Sequence, residues 1–378
     1  MKLRSEKNQW VRFYFLCKTY SFAHLTKQQT YICKGIAILF IVIHNVVAKI
    51  PSAPGYNEFY FNGDYIEQAL HMLYSDPAHL ITVMMTFLGH YGVQVFIFLS
   101  AYGLVRSIAL QPNTWKKFIH KRIVQLIIPM LFVMLFYLGL DYFFSGLFSL
   151  RSGEHDLFDV LKRMLFISNF IPGEAFLVIG PWWFLSMIMQ FYLLFMPLRA
   201  KQMRYGNASL AVLSLLMIFI MIPLEPWLQH YGFSLTLTAL GHLPEFALGM
   251  AVASLPKINV PLGLIILALV GLVLGNMFYL FWFFAPVCAT LVIMFLCGLL
   301  LKQLPHTQHG VVMLHRIGVL SLYIFLLNGV IREPFVLLAS QVNTPLMSYA
   351  CALVVVMLTL FIAHVFYTLE RYLKSILT

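Results

Sequence analysis

The sequence predicts an all-α protein: a polytopic membrane bundle of about ten transmembrane helices with both termini in the cytoplasm. Three observations predict it. Of 378 residues, 61% are hydrophobic and only 10% are charged, whereas a soluble globular domain is about one quarter charged; mean hydropathy is +0.84. The apolar residues gather into runs near the roughly 20 residues that a helix needs to cross a hydrocarbon core. The cations then fall on alternate sides of those runs.

The runs are 32–50, 81–104, 123–146, 182–198, 207–223, 234–255, 261–278, 281–301, 316–340 and 345–370. The even-numbered connections and both ends of the chain hold most of the 25 cations, from Lys2, Arg4, Lys7 and Arg12 to Arg371 and Lys374. Only Lys49, Arg151, Lys162, Arg163 and Arg332 fall on the other side, where Glu58, Asp64, Glu67, Glu154, Asp156, Glu174 and Glu225 gather. Cytoplasmic loops are enriched in Lys and Arg, so this parity places both termini inside. Eight or twelve spans would satisfy the bias as well. The net charge of +11 thereby reads as topology and not as a nucleic-acid footprint.

The chain divides into a cytoplasmic segment 1–31, a membrane domain 32–370 and a cytoplasmic tail 371–378. The first thirty residues are too polar for a cleavable signal, which leaves the first span as an uncleaved one in the plasma (inner) membrane. Two outer loops, 51–80 and 147–181, are rich in polar, aromatic and turn residues. Cys17, Cys33, Cys288, Cys297 and Cys351 include no CxxC pair. They read as small apolar residues with no disulfide framework or metal site.

Ionisable side chains are costly in lipid, so those inside spans are candidate functional groups. "CKGIAILFIVIHNVV" (33–47) puts His44 and Asn45 in the first span, with Ala37 and Ala48 on the His44 face offering close approach to another helix. An interhelical hydrogen bond that locks packing is the competing role. In the fourth span Trp183, Ser186 and Gln190 form one stripe. The sixth pairs His242 with Glu245 beside Pro244, a spacing that suits a structural pair. The ninth carries Asn328 and Arg332 four apart; a snorkelling Arg332 and a substrate contact are both open. The stretch "WKKFIHKRIVQLIIP" makes a basic patch of Lys116, Lys117, His120, Lys121 and Arg122, with Arg106 before it. Such a patch suits anionic lipid or a phosphate-bearing donor equally.

Several segments resemble, in order, the membrane acyltransferase 3 family of O-acyltransferases. "YICKGIAILFIVIHN" is similar to its first-helix signature and "GVQVFIFLSAYGLVRS" to its second-helix stretch. "FIHKRIVQLIIP", "WWFLSMIMQFYLLF", "LPEFALGM" and "LYIFLLNGVI" resemble later ones, over about residues 31–335. The resemblance implies acyl transfer, usually acetyl, from cytoplasmic acyl-CoA to a hydroxyl of a surface or extracytoplasmic glycan. It also implies a histidine base in the first helix. Carried onto this chain, that role falls on His44, with Lys34 as its basic partner. Arg122, with Lys121 and Arg106, would contact the donor phosphates, and Trp183, Ser186, Gln190, Glu245, Asn328 and Arg332 would support the substrate. In the outer loops Tyr56, Tyr60 and Trp182 would stack on sugar rings. Acyl-CoA is a donor substrate here, and no bound cofactor or metal is implied.

The chain departs from the pattern in four places. Lys34 stands where Arg is common; ten residues separate it from Asn45 and nine from His44; Ala101 follows Ser100 in place of Gly; Asn328 stands where many members have His. Either His44 acts, or the usual position is Asn45, whose amide cannot act as a base. A transporter or flippase, and a family member without catalysis, are the competing classes; no inverted repeat of the kind many transporters show is visible.

Overall fold

The computed structural model describes residues 18–50, 53–110, 114–144, 157–303 and 308–377. Lys2, Arg4, Lys7, Arg12, Cys17, Arg151, Glu154 and Asp156, used in the sequence reading, lie outside them. In chain order the helices are α1 (Lys27–Val47), α2 (Asp64–Ser75), α3 (Leu80–Leu88), α4 (Gly92–Leu110), α5 (Trp115–Phe143) and α6 (Leu157–Met164). They continue as α7 (Trp183–Tyr205), α8 (Asn207–His230), α9 (Leu243–Ser254), α10 (Leu262–Met277) and α11 (Tyr279–Trp282). The last are α12 (Ala285–Gln303), α13 (His309–Val319), α14 (Ser321–Val342) and α15 (Pro345–Leu377).

Among the described residues, eight helical segments are long and apolar enough to cross a membrane, with α3 and α4 counted as one. The protein is therefore a multi-pass membrane protein. The sixth and seventh expected spans correspond to shorter apolar helices, α9 with 12 residues and α10 with 16. Among the described residues the one sheet is a ribbon of β1 (Thr19–Phe22) and β2 (Ile258–Pro261), antiparallel, with Thr19 opposite Pro261. It ties the segment before α1 to the α9–α10 connection. The two therefore share one face of the bundle, called here the near face.

Three expected spans are broken. Run 234–255 is helical only from Leu243: Gly241 folds back so closely that a Cβ there would lie 2.4 Å from the Leu235 carbonyl, and Pro244 opens the helix. Backbone left bare by the break finds a side chain, as buried carbonyls generally do; the Asn169 amide donates to the Leu237 carbonyl at 2.6 Å and to that of Trp183 at 2.8 Å. Run 81–104 is interrupted by a single tight turn, Gly89–Tyr91, and run 316–340 breaks at Leu320 between α13 and α14. In contrast, α5 begins at Trp115, so the basic patch is the helix's own first turns and not a loop.

Helix α1 lies at the centre, with α4, α13, α14 and α15 packed on it. Small residues permit this. A Cβ on Gly318 would sit 1.8 Å from the Tyr31 carbonyl, one on Gly35 2.1 Å from that of Leu314, and one on Gly92 2.5 Å from that of Ala37. Helices in lipid associate by such close packing.

Of the cations that break the charge bias, Lys162 and Arg163 have local partners. Lys162 pairs with Asp159 and with Glu174, each at 2.7 Å. Arg163 is fully buried and donates to the carbonyls of Ala175 and Leu177, its closest bonds at 2.8 Å. Burial pushes its guanidinium down to about 10, which leaves it charged near neutral pH. Lys49 and Arg332 line the far cavity described next.

Candidate active site

Two cavities lie toward opposite ends of α1 and share lining residues near its middle. The far cavity, about 450 Å³, is lined by His44, Asn45, Lys49, Tyr56, Glu58, His90, Trp183, Arg332 and Glu333 among others. The near cavity, about 350 Å³, holds Lys34, Arg122, Gln125, Tyr192, Glu370 and Lys374. Ile41, Val93 and Phe325 line both.

His44 is only 2% exposed and its ring is fixed from several sides. Nδ1 lies 3.0 Å from the Met85 carbonyl. A carbonyl only accepts, so Nδ1 carries a proton in this contact. Nε2 stands 3.5 Å from Glu58 Oε2. Tyr56 meets the ring edge-on, with centroids 4.8 Å apart, and the His90 ring lies 5.4 Å away. The break at Gly89 makes this possible, because a Cβ on Gly89 would lie 2.6 Å from that of His44.

Glu58 belongs to the loop between α1 and α2, and its neighbours fasten it. The Asn57 amide donates to the Asn276 carbonyl at 3.2 Å, and the Trp282 indole donates to the Asn57 carbonyl at 2.8 Å. On the other side the Gln229 amide donates to the Phe59 carbonyl at 3.1 Å, and the Phe59 ring packs edge-on against Trp183. The carboxylate is thus held at the imidazole by a loop bonded on both flanks. Burial first, and the Glu58 charge second, raise the Tyr56 phenol above its usual range, so Tyr56 stands as a neutral hydrogen-bonding group.

Arg332, 4% exposed, does not snorkel to an interface. It lines the far cavity, with Nη1 donating to the Asn45 carbonyl at 3.3 Å and Nε to Glu333 Oε1 at 3.1 Å. Asn45 lines the same cavity. Lys34 sits ten residues before His44, about 15 Å along the axis, and lines the near cavity with Arg122. Arg122 Nη1 donates to Gln125 Oε1 at 3.0 Å, and its guanidinium lies over the rings of Phe118 and Tyr192.

The remaining candidates are placed elsewhere. Lys121 and Arg106 are exposed and line neither cavity. Of the fourth-span stripe only Trp183 reaches the far cavity. The Ser186 hydroxyl faces that of Ser168 at 3.5 Å, and Gln190 accepts from the Ala239 N–H at 2.9 Å. Trp182 is wholly buried and its indole donates to the Leu326 carbonyl at 3.0 Å, so it offers no face to a sugar. His242 Nδ1 and Glu245 Oε2 stand 4.0 Å apart in the core. Asn328 is fully buried and lines neither cavity. The sequence reading passed over His90, although the rule that singles out His44 applies to it, and treated Glu58 only as an outer-loop acid. The signal at Glu58 was its neighbourhood, "YNEFYF", where aromatic and amide side chains can bury and bond a loop.

A family model described as an acyltransferase domain matches residues 32–365. The chain belongs to the acyltransferase 3 family. No curated protein and no solved structure matches it. As an acyltransferase of this family, the protein must bring a nucleophile to an acyl donor within a membrane. The arrangement offers an imidazole beside a carboxylate, between two cavities that each carry cations.

Proposed function

We propose that this acyltransferase moves an acyl group, chiefly acetyl, from acyl-CoA at the near cavity to a hydroxyl of an extracytoplasmic glycan in the far cavity, with His44 as general base. The near face is then cytoplasmic, both termini lie inside, and the bilayer is the plasma (inner) membrane. One observation carries the reading: His44 faces the far cavity, while Ile41, one turn earlier on α1, lines both.

In the near cavity Arg122 and Lys34 supply charge for the donor's phosphates, as guanidinium and ammonium groups do. In the far cavity the glycan hydroxyl donates its proton to His44 Nε2 as its oxygen attacks the thioester carbonyl. The C–O bond forms, the C–S bond breaks, and the proton passes from the imidazolium to the departing CoA thiolate. Glu58, 3.5 Å from Nε2, stabilises the imidazolium while it lasts, because an opposite charge at that range favours the charged form. Arg332 supplies fixed positive charge near the developing oxyanion. Proton transfer by a positioned side chain typically contributes about 10²- to 10⁴-fold in rate. The far cavity, ringed by Tyr56, Phe59, Phe176 and Trp183, suits a sugar ring.

The test is comparative mass spectrometry of surface glycans from cells with and without the gene, together with free-CoA release by washed membranes. One acyl increment present only with the gene supports the reading. Movement of a glycan across the membrane with no mass change would replace it with transport.

A further inference from the structure

The junction of the two cavities carries a consequence for the acyl group itself. Three apolar side chains form it: Ile41 from α1, Val93 from α4 and Phe325 from α14, all buried. Two of them are on helices already in close contact: at Gly92 the α4 backbone lies against Ala37 and Ile41, and a Cβ there would approach the Ile41 Cγ1 to 2.8 Å. The third is a ring at the end of a side chain, resting against Phe184 with centroids 5.2 Å apart. A thioester that reaches His44 from the near cavity sends its acyl group through this neck first.

We propose that Ile41, Val93 and Phe325 form the passage for the acyl group, and that the Phe325 ring sets the largest acyl group that reaches His44. The inference rests on the transfer reading above and adds the determinant of acyl choice. An apolar wall admits a small hydrocarbon group and refuses the charged remainder of the donor. It also keeps far-cavity water from the thioester. The bulk of the ring decides between straight and branched chains, because apolar pockets discriminate by fit, typically by 10- to 200-fold per methylene.

The experiment supplies labelled acetyl-, butyryl- and isovaleryl-CoA to washed membranes of the protein's own cells. Alkali-labile label in the glycan fraction is counted, and protein level is matched by blot. For the wild type, acetyl transfer exceeds isovaleryl transfer. In Phe325→Ala the isovaleryl-to-acetyl ratio rises about tenfold or more, and in Phe325→Trp it falls. The ratio is read within each variant, so a general loss of activity cancels. If Phe325→Ala is missing from the membrane, Phe325→Leu and Val93→Ala give the same direction. Unchanged ratios in every variant that still transfers acetate overturn the passage and leave the transfer reading standing. Absence of ester from the wild type with all three donors overturns both.

Discussion

His44 and Glu58 come from different parts of the chain and meet at 3.5 Å, Nε2 to Oε2, while Nδ1 is turned onto the Met85 carbonyl. One nitrogen is occupied by backbone, and in the proposed chemistry the other takes the proton while the carboxylate beside it steadies the charge. The pair has the form of a base and its counter-ion.

Glu58→Gln keeps the shape and removes that charge. The expected result is a fall in kcat of about 10- to 100-fold with the KM for acyl-CoA nearly unchanged, since the proposed donor site is the other cavity. Steady-state kinetics on matched membranes check this, and a change confined to KM would count against the pairing.

Gly89 is expected to tolerate no side chain. Its missing Cβ would lie 2.6 Å from the His44 Cβ and 3.0 Å from the Phe40 carbonyl. Gly89→Ala displaces the imidazole, and a shift of about 1 Å near the chemistry can reduce rate by about 100-fold. Full activity in a normally inserted variant would show that the close approach is not what positions His44.

Arg122→Ala is expected to weaken acyl-CoA binding about tenfold or more, as hydrogen bonds to charged groups are worth about 1.5–3 kcal/mol. Arg122→Lys restores only part of it, because a point charge does not replace a planar fork. Lys121→Ala, on the exposed side of the same helix, leaves binding within twofold. Calorimetry in lipid nanodiscs separates the three, and equal losses at 121 and 122 would point to a diffuse surface charge.

Arg163 serves the fold. Its fully buried guanidinium holds the carbonyls of Ala175 and Leu177, in the loop that brings Phe176 and Val178 to the far cavity. Arg163→Ala strips those carbonyls of their donor, an expected loss of about 1–3 kcal/mol. The thermal melting temperature in detergent falls, while Lys162→Ala shifts it little. Unaltered melting in Arg163→Ala would contradict the account of this loop.

The helical, membrane-spanning character of the chain was legible because hydropathy reports lipid contact directly. What escaped was the interruption of spans. At Gly89 the chain breaks where α1 comes close and at Gly241 where it folds back on Leu235, and no apolar window registers either. Within the site, His44, Asn45, Trp183 and Arg332 were visible because a polar or bulky interfacial residue in an apolar run is conspicuous. Glu58 was not, since an acid in an outer loop is ordinary until the loop is seen folded down and fastened at Asn57 and Phe59. Ser186 and Gln190 show the converse: helical spacing put them on the Trp183 stripe, and packing turned them toward Ser168 and Ala239 instead.

The most direct test is the single variant His44→Ala, with labelled acetyl-CoA supplied to washed membranes and alkali-labile label counted in the glycan. The expected outcome is loss of at least 99% of the ester at unchanged membrane level, in line with a general base worth about 10²-fold or more. Ester formation at the wild-type rate would show that His44 does not perform the chemistry assigned to it.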